Sequence, residues 1–509
     1  MKLEKLLTTI QPLAIAGSAE VVVSGLAYDS RKVQPGTLFF ALPGVKVNGV
    51  DFIPQALKNG AVAIVAERLP ESCPKDVCFV QVANARLAMA KIAAGYYGDP
   101  TLGVPVIGVT GTNGKTTTTY LLEAIFKQAG LSPAVFGTVE YRFNNVCIPA
   151  ERTTPESIDL MRMMADFREQ GAATLILEVA SHALEQHRVD GIHFDLAVFT
   201  NLTPEHLDYH LDMESYFTSK RRLFAELLGG GAAVINSDDS FGRKLLQENS
   251  NWISFGLNAK ADVHPQQVEV GRDGIRGVFS CADERLVVES GMIGDFNVSN
   301  LLAAVAAAHQ LGIEHDTIVK GIAAAPQVPG RVEKVKNERG ILALVDYSHG
   351  SDALEQVLKT LTKLESRRLV TVFGCGGDRD QGKRSVMGAI AIHYSDLAIL
   401  TSDNPRTEDP LAILEQIRAG AVNAGGKELS ETEAVGEEEG FIVIPDRRSA
   451  IEFAAHLTKA GDLLLVTGKG HEDYQILGTE KIHFDDREEL YRVLNNKSIK
   501  TWIGTDHHV

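Results

Sequence analysis

The stretch VPVIGVTGTNGKTTTTYLLEAIF, residues 104–126, runs from a continuous apolar segment through small polar residues and one lysine into an amphipathic tail. An apolar run without alternation is a strand buried on both faces. The tail has helical spacing, so the segment is the strand–turn–helix of a mostly parallel α/β sheet. Such a turn gathers backbone N–H groups and the positive end of a helix dipole around one point, which suits an anionic phosphate. Lys115 would then reach the terminal phosphates, and Thr116 would offer its hydroxyl to Mg²⁺. The general pattern G-x-x-x-x-G-K-[ST] needs glycine at position 109, where Val109 stands, and Gly108 is one residue early. The generic motif therefore fails, while GTNGKTT keeps its physical ingredients; the competing reading is an ordinary glycine-rich turn.

The same alternation extends outward. AATLILEVA, LAVFTN and AAVINS repeat the buried-strand pattern, each leading into polar residues. After QVPGRVEKV, near residue 331, it restarts with ILALVDY, LVTVFG, LAILTSDN and LLLVTGKG, which predicts a second α/β domain. The block before it, to about residue 98, mixes strand-like TLFFAL and AVAIVAE with helical IPQALKNG and LAMAKIAAGYYG, and YYGDPTLGVP reads as a linker. Boundaries at 1–98, 99–331 and 332–509 follow. At the carboxyl ends of the predicted strands sit Gly111 to Lys115, Glu178, Asn201 with His206, Asp346 with His349, Gly374 to Arg379, Asp403 to Arg406 and Gly468 to Glu472, where open α/β sheets bind ligands.

Composition narrows the function. The 509 residues are 44% hydrophobic, enough for large cores. Fifty basic against 66 acidic residues give a net charge of −16, which argues against a mainly electrostatic nucleic-acid binder. The five cysteines, Cys73, Cys78, Cys147, Cys281 and Cys375, are scattered without close metal-ligand spacing, so neither a disulfide framework nor a zinc cluster is expected. MKLEKLLTTIQPLAIAG mimics a signal peptide but is interrupted by Glu4, Gln11 and Pro12, and no run of about 18 apolar residues occurs. A cytoplasmic protein without membrane insertion is expected. The acidic GKELSETEAVGEEEG, residues 426–440, reads as a solvated loop.

GTNGKTT, TTPES, EVASHALEQHRVDG, FTNLTPEHLDYH, YFTSKRRLF, GDFNVSN, GRVE, GCGGDRDQGKR, DNPRTEDP and GKGHEDYQ together, in this order, resemble the Mur ligases of bacterial peptidoglycan synthesis over nearly the whole chain. The resemblance implies three domains: a small mixed α/β N-terminal domain, a central P-loop-type mononucleotide-binding α/β domain and a C-terminal Rossmann-like α/β domain. It implies an ATP- and Mg²⁺-dependent amide ligase, monomeric, that joins an amino acid to a nucleotide-sugar peptide through an acyl phosphate.

Several residue roles follow from the resemblance alone. Gly111, Thr112, Asn113, Gly114, Lys115, Thr116, Thr117, Asn297, Asn300, Arg331 and Asp346 would bind ATP. On the residues themselves, Asn297 and Asn300 read equally as helix N-caps. Thr116, Glu178, His206 and Lys220 would hold metal, and Lys115, Glu178, His206 and Lys220 would serve catalysis. Glu178 alone could be a helix-capping or solvated residue. His206 and His210 do not form a zinc helix, because Leu207 stands where H-E-x-x-H has glutamate; His210 is read as structural. Lys220, between an aromatic pair and two arginines, reads as a surface helix residue, whereas the matching family lysine is carbamylated by CO₂. Neighbouring cations would favour the neutral amine that this needs.

The nucleotide-sugar acceptor would contact Ser30, Thr153, Thr154, Ser181, Gln186 and Arg188, with a plain Asp-Ser turn as the other reading of Ser30. Ala180 stands where the family pattern has a serine. Ser348, Gly350 and Ser351 replace the alanine, threonine and proline of its DYAHTPD. The incoming amino acid would meet Arg379, Asp403, Asn404, Pro405, Arg406, Gly468 and Glu472. Meso-diaminopimelate differs from lysine by a distal carboxylate, and Arg406 is the fixed cation that would select it. An L-lysine-adding ligase, a folylpolyglutamate-synthase-like ligase and a ligand-binding paralogue without activity remain alternatives.

Overall fold

The computed structural model describes residues 1–44, 47–70, 74–205 and 207–496, apart from the Asp208 side chain. The described chain forms two compact units. Residues 1–264, 280–284 and 300–321 make the first, and 265–279, 285–299 and those from 322 onward the second.

The first unit contains two sheets. Its N-terminal sheet orders Ala14–Ala16, Cys78–Gln81, Ala61–Ala66, Thr37–Ala41 and Gly25–Ala27, antiparallel at the first pair and parallel thereafter. The strands are the apolar runs TLFFA and AVAIVA, and Leu38, Phe40, Ala63 and Val65 are fully buried. Helices Ile53–Lys58 and Ala85–Tyr96 occupy the stretches with helical spacing. In the central sheet, strand Val106–Thr110 lies between Leu196–Phe199 and Thr174–Glu178, all parallel, with Ile107 opposite Ile176 and Leu196. Parallel pairing continues through Ala232–Asn236 and Ile253–Phe255 on one side and Pro133–Phe136 on the other. Burial on both faces explains why these strands read as unbroken hydrophobic runs. Helix Lys115–Gln128 buries Leu121, Leu122, Ile125 and Phe126 in the first unit's core.

The second unit's main sheet orders Glu333–Lys334, Leu342–Asp346, Leu463–Thr467, Leu369–Phe373, Leu397–Leu400 and Gly440–Val443, parallel except at the first pair. Two apolar layers cover its faces. Leu342 and Leu344 join one and Ala343 and Val345 the other, the two-residue period of a strand. In the first unit Gly111 to Lys115, Glu178 and Asn201, and in the second Asp346, Gly374 to Arg379, Asp403 to Arg406 and Gly468 to Glu472, lie at or after the carboxyl ends of parallel strands, whereas Lys220, Asn297 and Asn300 lie within helices.

The acidic segment 426–440 departs from its expected loop. Glu431–Val435 is a short helix, begun by a reciprocal capping box between Ser430 and Glu433, while Lys427 pairs with Glu433 and Glu438. The sequence Ser-x-x-Glu carries that start signal, and a neighbouring cation offsets the crowded carboxylates. Among the described residues, no helix is long and apolar enough to cross a membrane.

Candidate functional site

In the first unit, Gly111 to Gly114 link the central strand to helix Lys115–Gln128. Gly114 has φ +86°, and a Cβ there would collide with Asn300 Oδ1, so the lysine loop and Asn300 are mutually fitted. A Cβ on Gly111 would strike Thr200 Oγ1. The loop is held from the neighbouring strand end. Thr112 N donates to the Asn201 carbonyl (2.9 Å), Asn113 N to Asn201 Oδ1 (2.9 Å), and Thr200 Oγ1 to the Asn113 carbonyl (2.6 Å). The Lys115 ammonium donates to the Gly111 and Thr112 carbonyls at 2.9 and 2.7 Å.

Beside this loop, Glu178 ends its strand almost fully buried. It neither caps a helix nor faces solvent. Its carboxylate accepts from Thr116 Oγ1 (3.0 Å), Thr138 N (2.9 Å) and Thr138 Oγ1 (2.8 Å). An anionic carboxylate beside a threonine hydroxyl is an oxygen donor set suited to a hard divalent ion such as Mg²⁺.

Lys220 is not a surface residue: it is 1% exposed. Its amine donates to the Gly111 carbonyl at 2.8 Å, the same oxygen that Lys115 contacts, and lies 4.6 Å from the Tyr216 ring centroid. Burial, then the nearby Lys115 charge, holds its pKa well below the ordinary lysine range, with Glu205 opposing. The sequence pointed instead to the flanking arginines. Arg221 pairs with Glu248 and Arg222 with Asp190 and Glu226, so their charges are engaged elsewhere. His210 is buried, bonded to Ser181 Oγ (2.9 Å) and stacked on Tyr216. His206 lies outside the described residues.

The acceptor candidates divide between two places in the first unit. Thr153 contacts Thr138 across 3.1 Å, and Thr154 Oγ1 donates to the Glu178 carbonyl while accepting from Ala180 N. The hydroxyl of Thr154 thus satisfies the backbone beside the serine-to-alanine departure. Arg188 donates to the Thr154 carbonyl and to Gln186 Oε1 and pairs with Glu156, as do Arg86 and Arg152. Three guanidiniums around one carboxylate leave a positive excess suited to phosphate. Ser30 sits in the N-terminal sheet region, its hydroxyl donating to Gln55 Oε1 and its carbonyl accepting from Asn59 Nδ2.

The second unit holds the remaining candidates. Asn297 Nδ2 donates to the Ile293 carbonyl, a contact other than an N-cap. Asp346 accepts from Val332 N (2.9 Å) and Ser348 N (2.8 Å), and the Arg331 guanidinium stands 4.8 Å from the Tyr347 ring centroid. Around the amino-acid candidates, Asn404 is central. Its Nδ2 donates to Glu472 Oε2 (2.9 Å), and its Oδ1 accepts from Lys469 (3.0 Å) and Ile476 N (3.0 Å). Lys469, wholly buried, also faces Asp403. Pro405 is buried, and a Cβ added to Gly468 would stand 3.9 Å from the Asp403 carboxylate. Arg406 adopts φ +52°. Among the described residues its guanidinium donates only from Nη1, to the Gly377 and Asn404 carbonyls, which leaves one edge of the fork for a carboxylate. Arg379 is anchored through the Asp378 carbonyl.

Sequence reading did not single out Thr138, Glu156, Arg86, Arg152, Lys469 or His471. Lys469 and His471 lie inside the quoted GKGHEDYQ, and Glu156 inside TTPES; the other three carried no local signal. His471 is packed against Tyr347, its ring centroids 4.8 Å apart. Burial, reinforced by the Arg331 and Arg487 charges, pushes its pKa down to about 3.

Family models match three successive segments: "Mur ligase family, catalytic domain" at residues 22–97, "Mur ligase middle domain" at 109–308 and "Mur ligase, glutamate ligase domain" at 330–470. A Geobacter metallireducens protein, named UDP-N-acetylmuramoyl-L-alanyl-D-glutamate–2,6-diaminopimelate ligase, is 50% identical over 509 residues, covering 98% of this chain and 99% of its own. Its Geobacter sulfurreducens namesake is 51% identical over 498 residues, covering 96% and 98%. A solved structure of the same name superposes with TM-score 0.70 at 33% identity over 97% of this chain and 98% of its own. The MurF ligase of Thermotoga maritima in complex with ADP, 21% identical, shares the fold with TM-score 0.61, covering 88% of this chain and 94% of its own.

Proposed function

The chain belongs to the Mur ligase family, and we propose that it adds meso-2,6-diaminopimelate to the D-glutamyl γ-carboxylate of UDP-N-acetylmuramoyl-L-alanyl-D-glutamate, using ATP. The observation that carries this reading is half-identity over nearly full length with ligases so named, in a chain that keeps Arg406 for a distal carboxylate. ATP and a nucleotide-linked acceptor fit a cytoplasmic enzyme, which we take to be a monomer with domain limits near residues 98 and 331.

An amide forms poorly from a free carboxylate, because oxide is a poor leaving group. Transfer of the ATP γ-phosphoryl to the γ-carboxylate gives an acyl phosphate and ADP. The amine of the incoming amino acid then adds to the acyl carbon, and phosphate departs. The catalytic demand is mainly charge stabilisation. Lys115 meets it by leaving the loop carbonyls for the phosphoryl oxygens, while the 111–117 backbone and the helix start cradle the phosphates. Asn297, Asn300, Arg331 and Asp346 would contact the rest of the nucleotide.

Thr116, Glu178, His206 and a carbamate on Lys220 would hold Mg²⁺, which supplies Lewis-acid neutralisation of phosphate charge. The depressed pKa of Lys220 supports the modification. A neutral amine attacks CO₂, loses one proton and becomes an anionic oxygen ligand, which also removes a cation from beside Lys115. Ser30, Thr153, Thr154, Ser181, Gln186 and Arg188 would bind the acceptor. Arg379, Asp403, Asn404, Pro405, Arg406, Gly468 and Glu472 would bind diaminopimelate.

The test is phosphate release from ATP and Mg²⁺ with the UDP-linked dipeptide and, in turn, diaminopimelate, L-lysine or glutamate. Turnover with diaminopimelate alone is expected. Equal turnover with lysine, or none with any of the three, refutes the assignment.

A further inference from the structure

In the first unit, a tight turn and two helix ends bring together three residues that no catalytic role uses. Cys281 precedes a two-residue turn, Ala282 at φ +49° and Asp283 at φ +63°, and Glu284 follows it. Both turn residues adopt a left-handed conformation that L side chains avoid, so the flanking positions are firmly set. His309 lies in the last turn of helix Phe296–Gln310, and His315 opens helix His315–Ala323. The ligand atoms of Cys281, His309 and His315 all lie within 4.8 Å of one another.

We propose that Cys281, His309 and His315 form a Zn²⁺ site, with Glu284 orienting His315 and water completing a fourth position. His309 Nδ1 and His315 Nε2 stand 3.1 Å apart. Two nitrogens at about 2.0–2.1 Å from a tetrahedral zinc are separated by about 3.3 Å, so the spacing of this histidine–histidine hydrogen bond already matches that of two ligands on one ion. The thiol has to close by no more than roughly 1 Å for a sulfur bond of about 2.3 Å.

His315 Nδ1 meets Glu284 Oε2 at 2.7 Å. A proton held there fixes the tautomer and leaves the Nε2 lone pair facing inward, the carboxylate–histidine arrangement that supports zinc ligands. Cys281 is buried among the described residues, and a bound cation would take the place of its thiol proton. Thiolate and imidazole select zinc over the hard, oxygen-seeking Mg²⁺. His309 follows Asn300 by nine residues on one helix, about 14 Å along its axis, so the site is separate from the lysine loop.

The test uses the full chain, stripped with chelator and titrated with Co²⁺ alone, without nucleotide or Mg²⁺. A thiolate-to-cobalt charge-transfer band with intense tetrahedral d–d bands, saturating at one equivalent and displaced by one equivalent of Zn²⁺, is expected. C281S should abolish the charge-transfer band, whereas C147S, at the exposed Cys147, should retain it. E284Q should weaken cobalt binding by about 10- to 100-fold. No thiolate band in the unmodified chain, or a band that survives C281S, overturns the proposal. Circular dichroism establishes that C281S is folded. Should C281S not fold, H315A decides: unchanged cobalt affinity overturns the site, and at least a tenfold loss supports it.

Discussion

Glu178→Gln separates the chemical role of this carboxylate from its structural one. The buried side chain accepts three hydrogen bonds, from Thr138 N, Thr138 Oγ1 and Thr116 Oγ1. In the amide variant, the carbonyl oxygen keeps the Thr138 N–H, and the new NH₂ faces two hydroxyls that rotate to accept. The Thr138 hydroxyl can turn its proton to Thr153 Oγ1, 3.1 Å away. Bonds to a charged group contribute about 1.5–3 kcal/mol and neutral ones about 0.5–1.5, so each exchange costs about 1 kcal/mol and the three together at most about 3. Denaturant unfolding should therefore show a folded, cooperative protein destabilised by about 1–3 kcal/mol. Turnover should suffer far more, because the substitution removes an anionic oxygen from the position proposed for Mg²⁺. A fall of about 100-fold or more in kcat, as on losing one preorganised electrostatic group, is expected in the ATP-dependent phosphate-release assay, with a raised Mg²⁺ requirement. Wild-type turnover and Mg²⁺ dependence in a variant destabilised to this degree would refute the metal-ligand role.

Lys220→Ala should be nearly inactive in the same assay and regain activity with a small added carboxylate; full activity without additive discards the carbamate. Arg406→Ala should lose about 2–5 kcal/mol of discrimination between diaminopimelate and lysine, read as the ratio of kcat/KM values, and unchanged selectivity defeats the assignment. In the second unit, Arg447 and Asp486 form a fully buried pair with contacts at 2.6 and 2.8 Å. Asp486→Ala leaves a buried guanidinium uncompensated and should cost about 3–5 kcal/mol in urea unfolding, against near-zero for Glu284→Gln at the exposed turn. His471 titrates near 3 when folded and near 6.5 when unfolded. Between those values the unfolded chain binds the extra proton, so stability falls as pH drops through 6.5 and levels off below 3. From pH 7 to 4 this group alone should remove roughly 3 kcal/mol. His471→Gln should flatten that part of the stability profile, and an unchanged slope contradicts the burial argument.

The alternation of buried strands and amphipathic helices, the lysine loop and the placement of polar residues after strand ends were legible in the sequence because each depends on neighbours within a few residues. The capping box at Ser430 and Glu433 was equally local, but the acidic composition around it masked the signal. Contacts made across long sequence separations were not legible. Thr138 meets Glu178 across 40 residues, and Arg86 meets Glu156 across 70. Lys220 reads as a solvated helix residue from its neighbours, yet packing against Gly111, 109 residues away, buries its amine and lowers its pKa. The spacing of Cys281, His309 and His315 matches no metal motif, and only the turn and two helix ends converge their ligand atoms. Periodicity and turn chemistry are properties of consecutive residues and set the elements. Burial, charge environment and ligand geometry belong to surfaces that exist only once distant elements have packed together.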